Sequence, residues 1–313
     1  MNTTMQKVAI QLGTCLLIGR SDTLYPSKVE YFVSDVIACM VNVTLTLTNV
    51  LLNSVMIIAY LKSSKLNKHL SYFLITILSC VDLAVGGIGN SMFMVFLVTK
   101  MNGNRNCQLV FGVSKCLLLL SGMSIAVLSS MNLERYLAMV HPLIHRAKLT
   151  KKRLLLFVII LWSLYILTLF ISFAKRNIAK YMVASYRLCF TVFTIGVYVK
   201  IFLAVRKSQN SRNVGLPLIR SSNVKREFLK ELKLAKSSIL VVMCNIICTL
   251  PQLILTSMVH DDISRPYIID IYTTWIATII TLNSSLNSVL FFWLNHRLKK
   301  DSMTIVKQIF QKV

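Results

Sequence analysis

Charge is scarce along this chain, and acid is scarcest. Of 313 residues 15% are charged, with 11 acids against 35 Lys and Arg, whereas a soluble domain carries about a quarter charged residues. So little charge excludes an ordinary water-facing surface and points to lipid as the solvent. The 55% apolar content and mean hydropathy of +0.66 agree. Catalytic chemistry is equally thin. There is no phosphate-cradling loop and no metal-spaced set of His and Cys, and the five histidines scatter through loops, span edges and tail. The chain is therefore not read as an enzyme. It also lacks an internal repeat and paired broken apolar segments, which argues against a transporter or channel.

What the chain does have is oil in long runs. Seven are visible, at 36–61, 70–99, 108–139, 154–174, 181–205, 237–259 and 267–294. A helix needs roughly 20 apolar residues to cross the hydrocarbon. With no water to satisfy backbone groups, runs of this length must be helices rather than barrel strands. Asp82 alone interrupts the second run, and Arg187 and Lys200 weaken the fifth. The expected fold is all-α: a seven-transmembrane helix bundle over 36–294, after an N-terminal segment 1–35. A tail, 295–313, follows as an amphipathic helix, because Leu298, Ile305, Val306, Ile309 and Phe310 recur at helical spacing between lysines.

The net charge of +24 raises nucleic acid as a partner, but its placement decides against that. The connections 62–69, 140–153, 206–236 and 296–313 carry +3, +5, +7 and +4, while those of the opposite side carry about +3 together. Lys and Arg gather on cytoplasmic flanks, so the N-terminus is expected outside. The run Val8–Gly19 after Lys7 is too weakly apolar, and too poor in a small-x-small site, for a cleaved leader. Asn2 opens a glycosylation sequon on the outer side, whereas the sequon at Asn42 lies in a span. Six cysteines fall in spans and read as small packing residues. Cys15 and Cys107 alone lie on the oxidising side; a bridge between them is one option that two residues cannot establish.

Ionisable groups within lipid are costly and usually face the bundle interior. Asp82 is the clearest, with Asn53, Ser124, Asn283 and Asn287 as natural companions on other spans. They form either an interhelical hydrogen-bond network or an oxygen cage for one small hard cation. Glu134-Arg135 ends the third run ahead of a basic cluster. It is either a snorkelling edge feature or a switch in which Arg135 bonds and releases an acid, for which Glu231 is a candidate. Pro251 should kink the sixth span and give its inner half a lever arm.

These residues together resemble the rhodopsin-like (class A) G-protein-coupled receptors, over nearly the whole chain from about 36 to 310. Asn53 with the downstream "KLN", "LSCVD" around Asp82, Glu134-Arg135-Tyr136 followed by Pro142, Trp162, Tyr198, Cys248 with Pro251, and Asn283 with Asn287 stand in the family's order. The resemblance implies a plasma-membrane receptor in which Glu134 and Glu231 hold Arg135 at rest. Agonist moves the sixth span outward and opens a cavity for the Gα C-terminus of a heterotrimeric G protein, with Tyr198 and Asn287 supporting the active form. It implies an allosteric sodium ion at Asp82, Ser124, Asn283 and Asn287, no obligatory cofactor, and basic loops facing Gα and anionic membrane lipids.

The departures from the pattern matter as well. Thr249 replaces the sixth-span Trp, and Asn287-Ser288-Val289-Leu290-Phe291 lacks the proline and the tyrosine hydroxyl. Phe190 stands where the fifth span usually has proline, and the outer loop near Lys175–Lys180 is short and has no cysteine. That last pair of features is reminiscent of melanocortin-type receptors. A seven-helix decoy or scaffold without G-protein turnover is the alternative function. Leu117 stands where amine receptors carry aspartate and Thr281 where opsins carry the retinal lysine, so neither amine nor retinal is the expected ligand. The implied pocket draws on Phe93, Leu117, Leu118, Ser121, Met182, Tyr186, Arg187, Thr249, Gln252, Thr256, Ala277 and Thr281. A small molecule, lipid or peptide would fit that set. Arg187 either pairs an anionic head group or, the favoured reading, snorkels to the outer surface.

Overall fold

The computed structural model describes residues 29–102, 107–174, 176–213, 239–251, 254 and 266–311. Among these residues all regular structure is helical. Six helices have the length and composition to cross a membrane: Phe32–Lys62, Leu70–Met101, Gln108–Val140, Lys151–Ile171, Met182–Ala204 and Ile271–Leu294. They match six of the expected runs to within a few residues at most ends. The other run, the sixth, is described as the apolar helix Ile239–Pro251, so the kink expected at Pro251 lies outside the described residues. Leu164, Leu167, Phe170 and Phe202 are each more than half exposed, as side chains that meet lipid tails should be.

One boundary and one span interior differ from expectation. The segment expected to loop at Lys175–Lys180 is helical from Arg176, and one helix continues to Asn213. Nothing in "RNIAKYMV" is a stop signal, since neither Gly nor Pro occurs there, and leaving lipid does not oblige a helix to end. The second span is not uniform. Leu70–Ala84 passes into a π-helical turn, Val85–Asn90, before Ser91–Met101. Such turns shift the face that later residues present. Here the turn is "VGGIGN", and a Cβ on Gly89 would meet Leu117 at 3.0 Å. Glycine allows that close approach.

The described residues fall into two compact units. The first takes the described parts of Met1–Leu51, Asp82–Ser121 and Ile247–Ser285. Its apolar core is Ala38, Phe93, Phe96, Leu97, Val113 and Leu117. Beside that core a polar network joins the first, second and seventh spans. Asn42 Nδ2 donates to Thr278 Oγ1 at 2.8 Å, Asn90 Nδ2 donates to Thr46 Oγ1 at 2.6 Å, and Thr281 Oγ1 donates to Asn90 Oδ1 at 3.3 Å. The Asn42 sequon side chain is thus fully buried. Lys100, expected in an outer connection, is instead helical and 2% exposed, with its Nζ 2.9 Å from Asp35 and 3.3 Å from the Thr274 hydroxyl.

The second unit takes the described parts of Leu52–Val81, Gly122–Ile246 and Leu286–Val313. Met56, Leu74, Leu78, Val127, Met131, Val158, Val241 and Phe291 form its core. The closing helix, His296–Phe310, contributes Leu298 and Ile305 to that core. Two residues expected to face lipid therefore face protein, and Ser63 fixes the helix by donating to Asp301 at 2.9 Å. Of the cysteines, Cys80 and Cys189 are exposed rather than packed.

Candidate functional site

The third span stays helical through Glu134-Arg135-Tyr136 to Val140. His141 breaks it, and Pro142 opens a short helix, Pro142–Lys148. Proline suits a first turn because the N–H it lacks would have had no partner there. That short helix carries His145 back to the third span, where Nε2 lies 3.1 Å from Glu134 Oε1. Ser71, at the start of the second span, donates to the same oxygen at 3.1 Å. Glu134 Oε2 lies 3.2 Å from Arg135 Nε, a contact of charges rather than an aligned hydrogen bond. Both residues are 2% exposed. The pair is therefore no snorkelling edge feature: a hydroxyl, an imidazole and a guanidinium converge on one buried carboxylate.

The neighbouring positions are filled in keeping. The Tyr136 hydroxyl and His141 Nε2 lie 3.3 Å apart, and Lys200 Nζ is 5.9 Å from the Tyr136 ring. Tyr198 donates to Asn132 Oδ1 at 2.9 Å, and Asn132 Nδ2 in turn donates to Thr194 at 3.3 Å. Asn132 is three residues before Arg135, on the same helical face, so the fifth span is pinned one turn from the arginine. Glu231, the other expected partner of Arg135, lies outside the described residues. Ser71, His145 and Asn132 were not evident in the sequence. A Pro-started turn ending in histidine, "HPLIH", is the local signal that would have found His145.

The remaining candidates divide between the units. Asp82 is 1% exposed, and in the same unit Asn283 Oδ1 is buried with no hydrogen bond among the described residues. Ser124 and Asn287, each 1% exposed, belong to the other unit. Of the implied pocket, Phe93 and Leu117 are core residues with Ala277 packed against them. Thr281 is spent on Asn90 and Ser121 on the Leu118 carbonyl, while Thr249 is buried. Gln252, Thr256, Asn2, Cys15 and the Cys107 side chain lie outside the described residues. Met182 is half-buried. Arg187 corrects the favoured expectation: it is 3% exposed, buried instead of snorkelling. Tyr165 fits because residue 122 is glycine; its ring fills the space that a Cβ there would need.

Long apolar helices with basic connections mark a multi-pass helical membrane protein, with a clasped acid–base pair at the end of one span. The chain matches the 7 transmembrane receptor (rhodopsin family) over residues 52–291 and belongs to that family, whose members are non-enzymatic signalling receptors with a seven-helix bundle. It is also similar to the muscarinic acetylcholine receptor M3 of Rattus norvegicus, Mus musculus and Sus scrofa. Each is 32% identical over 113 residues, a stretch covering 35% of this chain and 18% of that receptor's length.

Proposed function

We propose that this receptor lies in the plasma membrane with its N-terminus outside, binds an extracellular small molecule, lipid or peptide, and activates a heterotrimeric G protein by outward movement of the sixth span. The observation that carries the reading is the buried Glu134–Arg135 pair with Ser71 and His145 closed on it. A charge buried at a span end is expensive unless paired, so exchanging that pairing for a docked Gα C-terminus is a two-state switch. The basic connections would meet Gα and anionic lipid on the inner side. A second reading, a decoy without turnover, draws on Phe291: it is 2% exposed in the apolar core, where the family pattern has a tyrosine hydroxyl. Nucleotide exchange on a panel of Gα proteins, with purified receptor and hits from a cAMP and calcium ligand screen, separates the two. Exchange is expected; silence on every Gα leaves the decoy.

The relatives' name does not supply the ligand. Leu117 offers no carboxylate to an amine, and its side chain is committed to the core. The allosteric sodium ion belongs to this reading on donor chemistry: the Asp82 carboxylate and the open Asn283 amide oxygen are the hard donors such an ion needs. Sodium is expected to shift ligand affinity in the wild type and not in Asp82→Ala. Equal insensitivity in both proteins would remove the ion from the account.

A further inference from the structure

His141 and Pro142 turn the chain from the third span into the helix Pro142–Lys148, and His145 falls in its last turn. That placement returns the imidazole to the span it has just left, with Nε2 3.1 Å from Glu134 Oε1. The two partners differ in their access to water. The Glu134 side chain is 2% exposed, whereas that of His145 is 21% exposed. The ring therefore touches a buried carboxylate on one side and solvent on the other.

The groups on that carboxylate are not alike. Ser71 brings a neutral hydroxyl to Oε1, and Arg135, at Oε2, brings a guanidinium charged at any physiological pH. Of the three side chains only the imidazole changes charge near neutrality. Neutral, it offers Glu134 an ordinary hydrogen bond; protonated, it makes a charge-assisted one, about twice as strong. Arg146 and Lys148 on its own helix oppose that proton, but both are exposed and solvent screens them. Arg135 opposes it too, from the other carboxylate oxygen. Around these, Arg153 of the fourth span donates to the Lys148 carbonyl at 2.6 Å. His69, before the second span, lies 3.4 Å from Arg297, and His141 lies 3.3 Å from the Tyr136 hydroxyl.

We propose that His145 makes this receptor sensitive to proton concentration on its G-protein side. A proton on the imidazole tightens the clasp on Glu134 and favours the resting state, and its loss loosens the clasp. The resting arrangement, with the ring on the carboxylate, gains more from that proton than an opened one does. Acidification therefore favours rest, and a rise through neutrality favours release of Arg135. A proton taken by Glu134 itself would act the other way and open the clasp, so the sign of the response separates the two groups. The signalling half of the proposal rests on the receptor reading, whereas closure of the clasp is read without any G protein.

Purified receptor in phosphatidylcholine nanodiscs is compared with His145→Gln, which keeps a donor but no titrating charge, between about pH 8 and pH 6. Hydrogen exchange of the segment 141–149 is read by mass spectrometry at each pH, with the variant as the reference for intrinsic rates. Acidification is expected to protect that segment about fivefold more in the wild type than in His145→Gln. Glu134→Gln leaves the ring no charge to meet and should abolish the extra protection, an independent check on the first variant. Basal nucleotide exchange on Gα, taken as the ratio of wild type to His145→Gln, should fall by a similar factor over the same range. That ratio cancels the response of Gα itself to pH. Equal protection in the three proteins, or protection lost on acidification in the wild type alone, would overturn the proposal. A flat exchange ratio would overturn its signalling half. Protection that follows pH with no exchange on any Gα would uphold the proton-sensitive clasp and count against the coupling reading alone.

Discussion

Asp35→Ala is expected to lower the stability of the folded receptor by about 3–5 kcal/mol, among the largest effects available to one substitution in this chain. The Asp35 carboxylate and Lys100 ammonium lie 2.9 Å apart with side chains 4% and 1% exposed, and Thr274 accepts a further bond from Lys100. Three spans meet there, since Asp35 is on the first, Lys100 on the second and Thr274 on the seventh. Removing the acid leaves an ammonium in a site built for a pair, and its desolvation is no longer offset. Removing both charges is a different experiment. Asp35→Leu with Lys100→Met fills similar volume with apolar groups, and such replacements of buried pairs are often neutral or stabilising. Thermal denaturation of the three proteins in nanodiscs checks this: a large loss in Asp35→Ala and its recovery in the double variant. A single variant as stable as wild type would mean that the two charges reach water.

The helices were legible because lipid dictates length and backbone pairing together, so an apolar run near bilayer thickness has one structural solution. The misreadings come from what hydropathy does not encode. Charges at Lys175, Arg176 and Lys180 read as a loop, although a helix extending into water keeps every backbone bond. Arg187 was taken to snorkel because its direction depends on helix rotation, which packing sets. The hollow at Gly122 and the aromatic pair beside it are assembled from three spans and leave no local signature. Leu298 and Ile305 were assigned to lipid by a periodicity that marks an apolar face without saying what covers it. Glu134-Arg135 was legible as a motif, whereas its clasp was not: Ser71 is 63 positions away in the chain.

On the proposed switch, two neighbouring substitutions at that clasp are expected to move signalling in opposite directions. Glu134→Gln keeps an acceptor for Ser71 but removes the charge facing Arg135 and His145. The resting arrangement then loses an ion pair that the active one does not use. If that difference is about 1.4 kcal/mol, the ratio of active to resting receptor rises about tenfold, so basal nucleotide exchange should rise by a similar factor. Arg135→Ala removes the group that changes partners and should abolish exchange with or without agonist. His145→Ala should act in the direction of Glu134→Gln but more weakly, because its side chain is 21% exposed and solvent competes for its contact with the carboxylate. Combining Glu134→Gln with Arg135→Ala isolates the switch: the gain seen in the first must vanish in the double variant, since a freed guanidinium is its cause. Basal exchange in folded Glu134→Gln indistinguishable from wild type would show that the carboxylate does not restrain Arg135, however close the two lie.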